Sequence, residues 1–247
     1  GHRLYRASDI ARIRTIKRLQ DERYTLEEIA ARLGPDADGA GPVIDLEEFV
    51  ALALSADAAA ATHQVAAALD RGMTPPELFD QVLAPALRDV GNRWAAGQLT
   101  VAQEHAASEV IRDLIAVVGA PRLDGQEQAP AVVAAAVAGE RHVIGLQMIS
   151  TLLRLRGYRV HYLGADVDPE FLTDAVKRHD PEIVLLSATL DEHLPATEQA
   201  ISAARQAGLR MPPTVVVGGQ IADRHAGRLA PFGAVVGPDF PPGTAGG

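Results

Sequence analysis

Short apolar runs alternate with helical patterns through the second half of this chain, and this alternation constrains the fold more than any other feature. Five segments have the character of buried strands: 131–138, 160–163, 183–187, 214–217 and, more weakly, 234–236. Helical patterns separate them near 143–156, 169–179, 193–207 and 220–230. Continuously apolar strands joined by helices indicate a parallel sheet that is covered on both faces.

Right-handed crossovers between such strands give a doubly wound sheet, so this half is predicted to be a flavodoxin-like (Rossmann-type) domain of five parallel strands. The preceding segment, from about 45 to 119, has a helical pattern throughout. Capping boxes at Asp45–Glu48 and Thr74–Glu77 mark two helix starts. Breaks near Ser55 and Gly72 and a turn at Gly97 divide the segment into about four helices. A four-helix bundle is the simplest architecture for it.

Charge and linker composition divide the chain into three parts. The net charge is −9, yet residues 1–33 hold eight basic and five acidic residues and are therefore basic. Stretches rich in glycine and proline at 34–42 and 119–129 are typical of linkers. The predicted domains are 1–40, 41–122 and 128–242, which gives an α + α/β protein with a basic head on an acidic body.

Several classes of function are excluded or disfavoured by composition. The chain has no cysteine, so disulfides, thiolate zinc sites, iron–sulfur clusters and a cysteine nucleophile are ruled out within it. It contains neither the roughly 20-residue apolar run of a membrane span nor a signal-peptide core. No catalytic triad or carboxylate pair is indicated. The expectation is a cytoplasmic protein that is not an enzyme and has no membrane partner.

Candidate ligand-binding residues follow three of the predicted strands. His142, with Glu140 two residues before it, follows the first strand; Ser187 and Thr189 end the third, and Gly218 and Gly219 end the fourth. Ligands of such sheets bind beyond the carboxyl ends of the strands. A histidine that ligates a metal usually has its second ring nitrogen held by an acceptor, as Glu140 would provide. The alternative for His142 alone is a solvated histidine in a helix-capping loop.

These three groups, E-x-H-x-x-G, S-x-T and G-G, together resemble the signature of cobalamin-binding domains. The resemblance implies that His142 replaces the nucleotide base as the lower axial ligand of cobalt. Glu140 stands where aspartate is usual. The displaced nucleotide tail would then pass through a channel lined by small or hydroxyl-bearing residues: Gly145, Ser187, Thr189, Gly218 and Gly219.

A second motif lies in the helical segment, where Trp94 precedes the adjacent pair Glu104 and His105 by W-x9-EH spacing. In isolation, a core tryptophan and a solvated pair explain these residues. Before an E-x-H-x-x-G domain, however, they resemble the cap of the adenosylcobalamin-dependent photoreceptor repressors, the CarH/LitR branch of the MerR family. There the tryptophan covers the upper ligand, and the glutamate and histidine line the adenosyl pocket.

The basic head, residues 1–33, resembles the second half of a MerR DNA-binding domain, from the wing strand into the last two helices. The helix-turn-helix that opens such domains, and that would enter the major groove, is missing from this sequence. DNA is therefore expected as a partner of the full-length protein. Arg3, Arg6, Arg12 and Arg14 are candidate phosphate contacts, which position a protein without specifying sequence. The alternative is an ordinary solvated helix.

The resemblance implies a light-sensing transcriptional regulator. Light would cleave the cobalt–carbon bond of adenosylcobalamin and alter self-association, as dimer or tetramer, and DNA binding. Light-sensing members often carry histidine directly after the bundle tryptophan; Ala95 takes that position here, leaving water or another group such as His105 to replace the adenosyl ligand. The alternatives are a corrinoid shuttle module of a methyltransferase system and a flavodoxin-like interaction domain without a cofactor.

Overall fold

A computed structural model describes residues 44–119 and 129–236 of the chain. The predicted MerR-like head, with Arg3, Arg6, Arg12 and Arg14, lies outside the described residues. The chain divides into two compact units, of which the first ends at Leu114 and the second begins at Ile115. None of the described helices combines the length and apolar character that a membrane-spanning segment requires.

The first unit is helical in its described part. Its elements are α1 (Leu46–Leu54), α2 (Ala58–Asp70), α3 (Pro75–Leu78), a π-helical segment (Phe79–Leu83), α4 (Ala84–Ala95) and the start of α5 (Val101–Gly119). Because α3, the π-helical segment and α4 are continuous, the described chain forms four helical stretches, as predicted. Apolar side chains from these stretches, including Phe49, Leu78, Leu83 and Ile111, are fully buried.

Local capping explains where these helices begin. The Asp45 side chain accepts a hydrogen bond from the backbone N–H of Glu48 at 2.9 Å. Thr74 and Glu77 form both arms of a capping box, which confirms that predicted helix start. Each cap satisfies backbone donors that the first turn of a helix would otherwise leave unpaired.

The second unit is a five-stranded parallel sheet in the order β2-β1-β3-β4-β5. Its strands are β1 (Ala131–Val137), β2 (Arg159–Val167), β3 (Ile183–Ser187), β4 (Thr214–Gly218) and β5 (Ala234–Val236). Its helices are α6 (Ile144–Leu155), α7 (Pro169–His179), α8 (Leu194–Arg205), α9 (Gln220–Arg224) and α10 (Ala226–Leu229), with 3₁₀ turns at Asp191–His193 and Ala230–Phe232. This strand order is the flavodoxin-like order, which confirms the predicted fold.

Both faces of this sheet are buried. Along β1, Val133, Ala135 and Val137 belong to the apolar core that contains α7 and α8 residues, whereas the alternate residues belong to the core that contains α6 residues. Successive strand side chains point to opposite faces, so a strand covered on both sides must be apolar at every position. Because the strands are parallel and adjacent, the carboxyl ends of β1, β3 and β4 lie at one edge of the unit.

Two elements differ from their predictions. β2 extends to Val167, beyond the predicted 160–163, because its pairing with β1 skips Leu163 and resumes at Gly164 and again at Val167. Gly164 and Asp166, at these two irregularities, have φ angles of +86° and +56°. The predicted helix at 220–230 is three short helical pieces. The first two pieces are separated at His225, whose φ of −119° and ψ of 22° are not helical. Pro231, which has no N–H to donate, lies in the third piece, the 3₁₀ turn Ala230–Phe232.

Candidate functional site

The buried carboxylate of Glu140 lies at the centre of the carboxyl edge of the sheet. Its Oε1 accepts hydrogen bonds from the backbone N–H and the Nδ1 of His142, at 2.7 and 2.6 Å. Its Oε2 accepts a bond from the backbone N–H of Thr189 and contacts Nδ1 of His193 at 3.3 Å. The loops that follow β1 and β3 are therefore joined through one side chain.

The charge state of Glu140 fixes the tautomer of His142. Burial by itself raises the pKa of Glu140, but hydrogen bonds from His142 and Thr189 outweigh it, and the net pKa is below the usual range. An ionised carboxylate only accepts hydrogen bonds, so Nδ1 of a neutral His142 carries the proton and Nε2 carries the free lone pair. The His142 side chain is 63% exposed, so this nitrogen belongs to an accessible ring. This is the electronic state in which imidazole binds a metal.

The loop that carries His142 is also held by the end of β2. The backbone N–H of Asp166 donates to the carbonyl of Glu140 at 3.0 Å, and the Asp166 carboxylate accepts from the N–H of Gly139 at 2.7 Å. The His193 ring packs against Gly139, where a Cβ atom would lie 3.3 Å from the imidazole. Asp166 and His193 were not predicted as site residues. Their position at the carboxyl edge was the one available signal.

We expect Glu140→Gln to destabilise the second unit by about 2 kcal/mol at neutral pH. Both carboxylate oxygens face hydrogen-bond donors, and an amide offers one oxygen and turns its NH₂ group toward the other pair. Urea unfolding followed by circular dichroism measures the change. Glu182→Gln, at an exposed glutamate of the same unit, is the matched control.

The destabilisation should also depend on pH. Because the pKa of Glu140 is lower in the folded protein, its stabilising contribution is fully present above the unfolded pKa of about 4.3 and is lost as the pH falls through the folded value. The difference between the wild type and Glu140→Gln should therefore narrow in acid. A difference that stays constant with pH, or an equal loss in Glu182→Gln, would contradict this assignment.

The predicted serine, threonine and glycine residues meet at the same edge. Ser187 pairs with Gly218 across β3 and β4, and the Ala188 N–H donates to the Gly218 carbonyl at 3.1 Å. Gly219 has φ +94° and ψ 172°, and a Cβ there would lie 2.1 Å from the Ala188 carbonyl oxygen. The fold itself thus requires glycine at 219, because nearly all residues with a side chain avoid this conformation.

Gly145 and Gly218 differ from Gly219 in this respect. A Cβ built on either of them meets no atom within 4 Å, and neither has a positive φ. The internal packing of the unit therefore gives no reason for the missing side chains. These two glycines and the accessible imidazole of His142 are compatible with a large, metal-containing ligand such as a corrin, with His142 as the residue that would hold its cobalt.

The predicted residues of the helical unit lie near the turn between α4 and α5. Trp94 is half exposed, so the alternative interpretation that it is a core tryptophan is wrong. Glu104 and His105 are joined directly, with 2.8 Å between the carboxylate and Nδ1, which also contacts the Val101 carbonyl at 2.9 Å. Both partners of Nδ1 are acceptors, so in the neutral ring Nε2 is free of the proton. Among the described residues, the structure gives no hydrogen bond between Trp94 and this pair.

Comparisons with known proteins show the family to which the chain is similar. Residues 130–239 and 45–118 each match a family model described as a B12 binding domain, and residues 1–34 match the model of the MerR HTH family regulatory proteins. The HTH-type transcriptional repressor CarH of Myxococcus xanthus is 35% identical over 240 residues, which cover 91% of this chain and 79% of the repressor.

Two corrinoid proteins share part of this likeness. Dimethylamine corrinoid protein 1 of Methanosarcina acetivorans is 27% identical over 154 residues, covering 60% of this chain and 70% of that protein. The solved monomethylamine corrinoid protein of Methanosarcina barkeri matches with a TM-score of 0.64 and 18% identity, over 76% of this chain and 89% of that one. At that identity the structural match bears on the fold alone.

The matched families and the repressor relative define a cobalamin-binding transcription regulator of the MerR class. Within that class, the chain belongs to the family of HTH-type transcriptional repressors that includes CarH.

Proposed function

We propose that the chain binds adenosylcobalamin and acts as a cytoplasmic light sensor that controls transcription. The observation that carries the cobalamin part is the His142–Glu140 pair, because an ionised, fully buried carboxylate holds Nδ1 of an accessible imidazole and leaves Nε2 for cobalt. The similarity to CarH and the MerR match of residues 1–34 support transcriptional control. Adenosylcobalamin supplies a cobalt–carbon bond that visible light cleaves.

In this proposal the two units contribute different contacts. His142 would hold the cobalt, and Glu140 would orient its ring. Gly145, Ser187, Thr189, Gly218 and Gly219 leave room for the displaced nucleotide tail. Trp94, Glu104 and His105 contact the adenosyl group: an exposed indole gives an apolar cover, and the Glu104–His105 pair gives polar contacts.

The proposed response to light is a change in self-association and DNA binding. A ligand shifts an equilibrium between states only by its difference in affinity for them, so the dark and illuminated forms must make different contacts with the chain. Ala95 cannot ligate cobalt. We therefore propose that water or His105, whose Nε2 carries no proton in the neutral ring, would hold the cobalt in place of the adenosyl group.

Absorbance and gel filtration test the proposal together. We expect protein mixed with adenosylcobalamin in darkness to keep its corrin absorbance after desalting, with a spectrum in which the nucleotide base is displaced by histidine. Green light should then change the spectrum and the elution volume. Protein without cofactor, illuminated in the same way, is the control.

Each part of the proposal has its own contrary outcome. Loss of all colour on desalting would remove the cofactor and favour a flavodoxin-like interaction domain. Retained colour with the same spectrum and elution volume after illumination would leave a cobalamin-binding regulator and remove the light switch.

The likeness to dimethylamine corrinoid protein 1 supports a second candidate, a corrinoid shuttle module for methyl transfer. The MerR match and the W-x9-EH residues favour the regulator, because a shuttle module requires neither of them. Relative affinity separates the two: the regulator should prefer adenosylcobalamin, and a shuttle should prefer methylcobalamin.

A further inference from the structure

A second polar cluster lies beside the candidate site and includes neither His142 nor Glu140. Asp191, in the 3₁₀ turn after β3, contacts Arg224 Nη1 at 3.1 Å through one carboxylate oxygen and His225 Nε2 at 2.9 Å through the other. Arg224 ends α9, the helix that follows Gly219. The cluster therefore connects the loop after β3 with the helix after β4.

Arg224 also holds the backbone of Thr189. Its Nη2 donates to the Thr189 carbonyl at 2.9 Å, while the N–H of the same residue donates to Glu140. The peptide groups on the two sides of Thr189 are thus fixed by different partners. Close by, the Ala188 N–H donates to the Gly218 carbonyl, so the two loops run side by side.

We infer that Arg224, held by Asp191, is a positioning residue for the part of the site that takes the nucleotide tail of a cobalamin. This inference rests on the proposed function and deepens it. Thr189 and Gly219 are on the two proposed walls of the tail channel, and Arg224 spans those walls from outside. The guanidinium binds two acceptors of one loop, the Thr189 carbonyl and the Asp191 carboxylate, and so sets the position of that wall.

Binding of the nucleotide tail and binding of the corrin should depend on different residues. In the described part of the chain, Arg224 reaches Glu140 only through Thr189, which bonds Oε2, whereas both His142 bonds are to Oε1. Loss of Arg224 or Asp191 should therefore leave the orientation of His142 and the corrin contacts in place. Adenosylcobinamide has the same corrin, cobalt and adenosyl group as adenosylcobalamin and lacks the nucleotide tail. Loss of a residue that positions the tail channel should therefore weaken the binding of adenosylcobalamin and leave the binding of adenosylcobinamide unchanged.

The experiment measures the Kd of both compounds in darkness for the wild type, Arg224→Ala and Asp191→Ala. We expect each variant to bind adenosylcobalamin roughly five- to tenfold more weakly. This is at or below the low end of the about 10–100-fold loss caused by removing a residue that orients a metal ligand, because the side chains of Arg224 and Asp191 are about half exposed. The Kd for adenosylcobinamide should change less than about twofold. The double variant should lose little more than either single one, because the two residues act as a pair.

A matched control and a conservative variant sharpen the result. Arg228→Ala removes a neighbouring arginine that pairs with Glu198, and it should leave both Kd values unchanged. Arg224→Lys keeps the charge without the planar fork and should restore only part of the adenosylcobalamin affinity.

The contrary outcomes differ from one another. Equal weakening for both compounds would assign Arg224 a general role in folding and overturn the inference. Unchanged affinity for both compounds would show that the Arg224–Asp191 contact is only a surface ion pair, and it would overturn the inference as well. A wild type that binds neither compound would overturn the proposed function itself, which the wild-type measurement alone decides.

Discussion

His142→Ala is expected to abolish histidine ligation of the corrinoid while leaving the unit folded. The side chain is mostly exposed, and its hydrogen bonds serve to orient the ring, so the fold loses little apolar burial. Under the proposed function, we expect the affinity for adenosylcobalamin to fall by about 100-fold or more, because His142 is the proposed ligand and loss of a residue that only orients a metal ligand already costs about 10–100-fold. Absorbance after dark incubation and desalting measures both the retained corrin and its ligation state.

His63→Ala is the matched control for this experiment. His63 is an exposed histidine of α2 in the helical unit, and its removal should change neither the spectrum nor the affinity. Circular dichroism of both variants checks that they are folded. If His142→Ala kept the histidine-ligated spectrum of the wild type, another residue would be the lower ligand and our assignment of the site would be wrong.

Gly219→Ala is expected to destabilise the second unit by roughly 3 kcal/mol, through backbone strain and a steric clash. The Cβ would lie 2.1 Å from the Ala188 carbonyl oxygen, so the loops after β3 and β4 must separate before the residue can be accommodated. Those loops carry the proposed tail channel, and adenosylcobalamin binding should weaken as well. Urea unfolding gives the loss of stability, and dark titration gives the loss of affinity.

Two other glycines isolate the cause. Gly91→Ala, in α4, meets no atom and should be neutral or stabilise the helix by up to about 1 kcal/mol. Gly218→Ala also meets no atom, so it should fold well and still weaken binding if the open space there accepts the ligand. A Gly219→Ala variant as stable as the wild type would show that the two loops do not need their close approach.

Most of the sheet unit could be predicted because its pattern is local. β3 begins and ends at the predicted residues, Ile183 and Ser187, since continuous burial demands an unbroken apolar run with polar or loop-forming neighbours. The far end of β2 was not predictable in this way. Its extension past Leu163 depends on pairing with β1 and on the positive φ of Gly164 and Asp166, which are long-range properties.

The candidate site shows the same division. Spacing along the chain predicted that Glu140 would hold His142, because a residue two positions away in a tight loop is within reach; the structure gives that contact at 2.6 Å. The spacing did not predict the contact of His193 with Glu140, because the two residues lie 53 positions apart in the sequence and come close only after β1 and β3 pair. The contact of Arg224 with Thr189 likewise depends on the adjacent positions of β3 and β4.

The many bonds to Glu140 have a consequence for biosynthesis. Its donors are supplied by residues as far along the chain as His193, and the carbonyl of the same residue is held by Asp166. A nascent chain that has emerged only through α7 therefore still lacks Thr189 and His193, the two residues that contact Oε2 of the carboxylate. Under the proposed function, the full set of contacts that orients His142 forms only after synthesis of the first three strands and the 3₁₀ turn after β3, so cobalamin would find a fully oriented imidazole only from that stage onward.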